Sequence, residues 1–108
     1  MADRNGIVKV RPVVVVSSEA DIAAGKRVVV VAVSSTFSEP LRPACVRLPW
    51  AAGKHRRTGL EKPSVAVADW WEMKDPDEIG APIGILTAAA LDQLMETLDR
   101  LGVPRSAP

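Results

Sequence analysis

Two valine runs set the hydrophobic pattern of the first third of the chain. Residues 13–16 are all valine and follow Arg11-Pro12; residues 28–33, broken only by Ala32, follow Gly25-Lys26-Arg27. Unbroken β-branched runs of this length predict strands covered on both faces. Pro12 stands at a strand entry, where a missing N–H is tolerated. The polar stretch 17–25, ending in Gly25, predicts a connecting loop. A third strand is expected over residues 44–48, between Pro43 and Pro49, and a fourth over 64–69, ending near Trp70-Trp71. Residues 50–63 follow no hydrophobic period and predict a mobile loop, and 74–78 predict a turn with one helical turn opened by Pro76. Leu91, Leu94, Met95, Leu98 and Leu101 then form one helical stripe. Thr87 is its expected N-cap, Gly102 and Pro104 its stop, and Asp92, Gln93, Glu96, Asp99 and Arg100 its wet side. The pattern predicts a mainly β fold with a C-terminal helix, a small SH3-like barrel.

Composition narrows the chemistry. With 108 residues and 47% hydrophobic content, the chain suits a single domain over residues 1–108, with 1–6 and 103–108 as disordered tails. No apolar run approaches the ~20 residues that cross a bilayer. The first six residues carry no apolar h-region, so a secretory signal is not supported and a reducing cytoplasm is the expected location. Cys45 and His55 are each alone of their kind. This pattern offers no Cys-based zinc cage and no cofactor motif, and Cys45 is expected to be a small buried hydrophobe. The formal net charge of +1 hides a division. Residues 1–62 hold eleven Lys/Arg against five Asp/Glu, whereas 63–108 hold three against eight. Either the first half presents a positive surface to a polyanion, or the two halves pair with each other.

The landmarks in order are Lys9-Val10-Arg11-Pro12 with its valines, residues 28–33 with Ser34-Ser35, Val46-Arg47-Leu48-Pro49, then Gly59-Leu60-Glu61-Lys62-Pro63-Ser64 leading to Asp69, and last Ile83-Gly84-Ile85-Leu86-Thr87 with the helix. From about Lys9 to Leu101 this succession resembles the MazF/PemK family of toxin endoribonucleases. The resemblance implies a MazF/PemK/CcdB-type barrel, a homodimer, metal-independent hydrolysis of single-stranded RNA, and a cognate antitoxin of a toxin–antitoxin system. It places Arg11 at the scissile phosphate, Ser34 at the family's strand-ending Thr or Ser, and Asp69 at the Asp after the later strand. Three positions depart from the family. Val67 stands where some members carry Arg, and Trp70 follows Asp69 where Gln is common. Only ten residues precede Arg11, where members have a strand and a covering loop.

These residues suit the chemistry. Without a metal, RNA is cut when its 2′-OH attacks the adjacent phosphorus. That step needs a proton acceptor, charge stabilisation at the phosphate and a proton for the leaving 5′-oxygen. Arg11 is always charged, and its fork matches phosphate oxygens. Ser34 can donate to the same phosphate, and Asp69 is the candidate base. Lys9, Ser35, Thr36, Lys54, His55, Arg56 and Arg57 are candidates for holding the RNA, with Trp70 stacking a base. Surface charge, strand-end hydrogen bonding and turn capping are the plain alternatives for Arg11, Ser34 and Asp69. Two other functions stay open on the residues: a catalytically degenerate toxin-like binder of RNA or an antitoxin-like partner, and an SH3-like module taking a peptide.

Overall fold

A computed structural model describes residues 11–106. Its elements are β1 (Val13–Val15), α1 (Glu19–Ala23), β2 (Val28–Ser34), β3 (Cys45–Leu48), β4 (Ser64–Lys74) and α2 (Ala88–Leu101), with a 3-10 turn at Pro76–Glu78. The strands form one antiparallel sheet in the order β1-β2-β4-β3. Among the described residues the expected barrel is a curled half-barrel.

The valine pattern explains the central strand. Residues 28–33 are all buried. Val29, Val31 and Val33 share the main core with Val46, Leu48, Ala66 and Ala68, under Ala90, Leu94 and Leu98 of α2. Val28, Val30 and Ala32 are buried as well, so β2 is covered on both faces. A fully buried Leu or Val contributes about 1.5–3 kcal/mol relative to exposure. Val16 leaves β1 yet stays buried, and its N–H donates to the Val29 carbonyl at 3.0 Å.

Helix α2 begins and ends as its sequence predicts. The Thr87 side chain accepts from the Ala90 N–H at 3.3 Å, and Gly102 takes a left-handed φ of 70°. That reversal brings Val103 back against the core, its N–H on the Leu98 carbonyl at 3.0 Å. Leu101, expected to complete the stripe, is 43% exposed instead, because Val103 takes the packing place at the helix end. The Arg100 guanidinium donates to the Pro43 carbonyl at 2.8 Å and ties the helix to the entry of β3.

Several expectations change. The loop 17–25 contains α1, capped by the Ser18 hydroxyl accepting from the Asp21 N–H at 3.2 Å. Strand β4 continues past Trp71 to Lys74, with Trp71 and Met73 packed on the core and Lys74 Nζ at 3.0 Å from Glu72. Cys45 is half-buried rather than buried. Residues 103–106, expected as a tail, are docked: Arg105 pairs with Asp99 at 2.8 Å, and the Ser106 hydroxyl donates to Asp21 at 3.2 Å. The other expected tail, residues 1–6, lies outside the described residues.

Leu94 is fully buried and Leu101 is not, which separates two superficially equal members of the stripe. Leu94→Ala is expected to cost about 2–5 kcal/mol and Leu101→Ala less than about 1 kcal/mol. Urea unfolding followed by circular dichroism measures both. Equal losses would show that the stripe packs along its whole length.

Candidate functional site

The site is built where β4 breaks register. Val31 pairs with Trp71 and Ala32 with Val67, so Ala68, Asp69 and Trp70 have no partner on β2. Extra residues of this kind bend a strand and re-aim its side chains. On the other side the Ala68 N–H still reaches the Ala44 carbonyl at 2.9 Å. The bulge sends Asp69 and Trp70 to two different arginines.

Trp70 meets Arg11. The guanidinium carbon lies 4.6 Å from the ring centroid, within cation–π range. The Arg11 Nε is buried without a hydrogen-bond partner among the described residues. One aromatic face of Trp70 is therefore occupied by the cation, and the expected stacking of a base on that face is replaced by stacking of Arg11.

Arg11 also sits beside Ser34. The β1–β2 ladder pairs Val13 with Ala32, and the Val33 N–H donates to the Pro12 carbonyl at 3.1 Å. Two residues further, the same register sets Arg11 opposite Ser34. Both line an open groove of about 430 Å³ together with Ser35, Thr36, Glu61, Lys62 and Ser64. An adjoining apolar hollow of about 620 Å³ continues from Arg11 along β1 to residues 80–86. The Ser34 hydroxyl is engaged locally. It donates to the Thr36 carbonyl at 3.0 Å and accepts from the Thr36 N–H at 3.1 Å. Donating to a phosphate would require it to rotate, whereas Ser35 and Thr36 line the same groove and their hydroxyls make no hydrogen bond among the described residues.

Asp69 is held away from this groove. Its two carboxylate oxygens accept from the Arg42 guanidinium at 2.8 and 3.1 Å, and it does not line the groove with Arg11 and Ser34. Hydrogen bonding from Arg42 holds the carboxyl below its ordinary value, with partial burial opposing. A carboxylate committed to a guanidinium at both oxygens and made less basic is poorly suited to take a 2′-OH proton.

The cationic loop departs from expectation in another way. It is tied down rather than mobile. His55 Nδ1 accepts from the N–H groups of Arg57 and Thr58 at 3.1 and 3.2 Å. Thr58 is buried, donating to the Pro49 carbonyl at 2.8 Å and accepting from the Leu60 N–H at 3.2 Å. Gly59 has a φ of +72° and lies against the Ile83 carbonyl, and a Cβ at Gly84 would collide with the Arg57 and Thr58 backbone. These contacts leave His55 a structural acceptor. Lys54, Arg56 and Arg57 are exposed on the loop, while its later residues Gly59–Lys62 line the groove. Lys9 lies outside the described residues. Glu61, Lys62 and Ser64 are groove residues that the sequence alone did not single out.

Among the described residues, no group of three or more His, Cys, Asp or Glu side chains is arranged to hold a metal ion. No helix there is long and apolar enough to cross a membrane.

With fold and groove in hand, comparison with known proteins places the chain. The family model for the PemK-like, MazF-like toxin of type II toxin-antitoxin system matches residues 2–101. The chain belongs to that family. Among solved structures it is similar to an Mtb toxin at 24% identity and a TM-score of 0.70, covering 86% of this chain and 93% of that one. The Mycobacterium tuberculosis toxin MazF-mt6 gives 24% identity and 0.69, with 85% of each chain covered. An endoribonuclease in complex with its cognate antitoxin, from mycobacterial species, gives 23% and 0.69 over 97% of this chain and 91% of that one. At these identities the likeness establishes the fold. No curated protein shows significant sequence similarity.

The Arg42–Asp69 pair carries a pH signature. Asp69 titrates lower in the folded chain than in the unfolded one, where carboxylates titrate near ~3.9. Its stabilisation is therefore present above that value and fades as the pH falls through the folded one. Both partners are about half exposed, so Arg42→Ala is expected to cost no more than about 1 kcal/mol at pH 7. The difference between parent and variant should shrink as unfolding is repeated toward pH 2–3. A difference constant with pH would show that Arg42 acts through packing.

Proposed function

We propose that the chain is the toxin of a type II toxin–antitoxin pair and a metal-independent endoribonuclease acting on single-stranded RNA. The observation that carries this reading is the placement of Arg11 opposite Ser34 in one groove. This sets a permanent cation beside three hydroxyl residues at the end of β2. Family membership supports it, as does the likeness to an endoribonuclease that binds a cognate antitoxin. A homodimer and a cognate antitoxin are the partners this reading includes.

In this mechanism Arg11 binds the scissile phosphate and stabilises the charge that develops as the 2′-oxygen attacks. Stacking on Trp70 fixes the plane of the guanidinium before the substrate arrives, so its reorganisation cost is met by the fold. Hydroxyls of Ser35 and Thr36, and Ser34 after rotation, donate to the remaining phosphate oxygens. Lys62 in the groove and Lys54, Arg56 and Arg57 on the loop neutralise neighbouring phosphates without reading sequence.

The test is incubation of purified protein with mixed-sequence single-stranded RNA in EDTA. Cleavage should leave 2′,3′-cyclic phosphate ends. Arg11→Ala should lower the rate by roughly 10²–10³-fold, and Arg11→Lys should restore little of it, because a point charge lacks the bidentate fork. Retention of RNA without cleavage would instead identify a degenerate toxin-like binder. Neither cleavage nor retention would point to a protein-interaction module.

A further inference from the structure

We propose that Glu61 is the general base of this groove, the group that accepts the 2′-OH proton; the inference rests on the ribonuclease reading given above. It begins from a vacancy in the chemistry. Asp69 gives both carboxylate oxygens to Arg42, and His55 gives Nδ1 to two backbone N–H groups. Neither lines the groove that holds Arg11 and Ser34. Among the described residues that do line it, Glu61 is the sole carboxylate and there is no histidine.

Several acids are committed to cations. Glu39 pairs with Arg47, and Glu72 and Glu78 share Lys74 at 3.0 and 3.6 Å. Glu61, like Glu19, Asp77, Asp92 and Glu96, has no side-chain hydrogen-bond or ion-pair partner among the described residues, but of these it alone lines the groove. Its backbone is nevertheless held on both sides. Leu60 is buried, and its carbonyl accepts from the N–H groups of Ala51 and His55 at 3.1 and 3.0 Å. Ser64, also buried, opens β4 and donates to the Lys62 carbonyl at 2.9 Å. A carboxylate unpaired among the described residues, set between two anchored residues and lining the same groove as Arg11, has the placement a general base needs.

The Glu61 carboxylate takes the 2′-OH proton while the 2′-oxygen forms a bond to phosphorus. The bond from phosphorus to the 5′-oxygen breaks, and that oxygen leaves with the electron pair and takes a proton from water. The hydroxide left behind recovers the proton held by Glu61. The products are a 2′,3′-cyclic phosphate and a 5′-hydroxyl, and nothing is oxidised or reduced.

The experiment compares single-turnover cleavage by the full chain and by Glu61→Gln. Two RNA substrates are used: one ordinary, and one with sulfur in place of the 5′-bridging oxygen at the scissile bond. Sulfur leaves without needing a proton, so it relieves the loss of a general acid but not of a base. Glu61→Gln is expected to slow the ordinary substrate by about 10²–10⁴-fold, with RNA affinity retained, and to stay slow on the sulfur substrate. Glu61→Asp should recover part of the rate. Unchanged cleavage in Glu61→Gln would overturn the proposal, as would a variant whose rate returns on the sulfur substrate. A parent protein that binds RNA but cuts neither substrate would sink the ribonuclease reading itself, and the base assignment with it. That outcome is told apart by the absence of any parent signal.

Discussion

The register break between β2 and β4 is the constraint on which the site depends. Strand β2 is a run of buried side chains with no polar residue before Ser34, and it pairs from end to end. Strand β4 follows it from Val65 to Lys74 with three residues to spare, and all three are gathered at one point. Leaving ladder positions unpaired costs on the order of 1 kcal/mol for each missing hydrogen bond. The cost is partly offset where the Ala68 N–H turns to the Ala44 carbonyl on the β3 side. The bend curls the sheet toward α2 and frees two side chains from the strand's alternation. Asp69 then closes on Arg42, and Trp70 lies under Arg11.

The two arginines reached from the bulge carry different consequences. Arg42 and Asp69 neutralise each other at a half-exposed position, a pairing that contributes little energy and removes a carboxylate from chemistry. Arg11 loses no charge by stacking on Trp70. An aromatic face orients a guanidinium while leaving its outer N–H groups available, and phosphate recognition uses that arrangement. Gln at this position, common in the family, would satisfy the cation through polar atoms. Trp does so through its ring. Trp70 is thereby engaged with Arg11.

What was legible in the sequence followed from how local its cause is. The valine run of β2 and the stripe and caps of α2 are written in consecutive residues, and the folded chain follows them closely. Helix α1 was not legible, since five residues carry too little periodicity and its cap is a single serine in a polar stretch. The loop 50–63 looked mobile because composition shows charge and glycine, whereas its order comes from one histidine nitrogen and one buried threonine hydroxyl. Arg11 and Ser34 were found through the resemblance, and the ladder register brings them together. Asp69 was expected at the groove through the same resemblance, which matches it to the Asp after the later strand. The bulge, invisible in a single strand's sequence, turns it to Arg42. Glu61 escaped notice because nothing near Gly59-Leu60 tells which way the following residues face until Ser64 is paired.

The charge division takes on a sharper meaning in the folded chain. Part of it is internal, since Arg27 lies 3.8 Å from Asp75 and Arg42 pairs with Asp69, each joining the basic half to the acidic one. Those pairs do not account for the whole excess. Lys54, Arg56, Arg57 and Lys62 have no ion-pair partner among the described residues, and they fall within one loop whose end forms the wall of the groove. Helix α2 meanwhile carries exposed Asp92 and Glu96 on its outer side. Such a distribution would draw a polyanion to the loop and repel it from the helix. Glu61 is the one acid in that cationic stretch. For binding alone a carboxylate there is unfavourable, because it repels the phosphates its neighbours attract. A cost of that kind at the groove wall is understandable where the carboxylate has a proton to take.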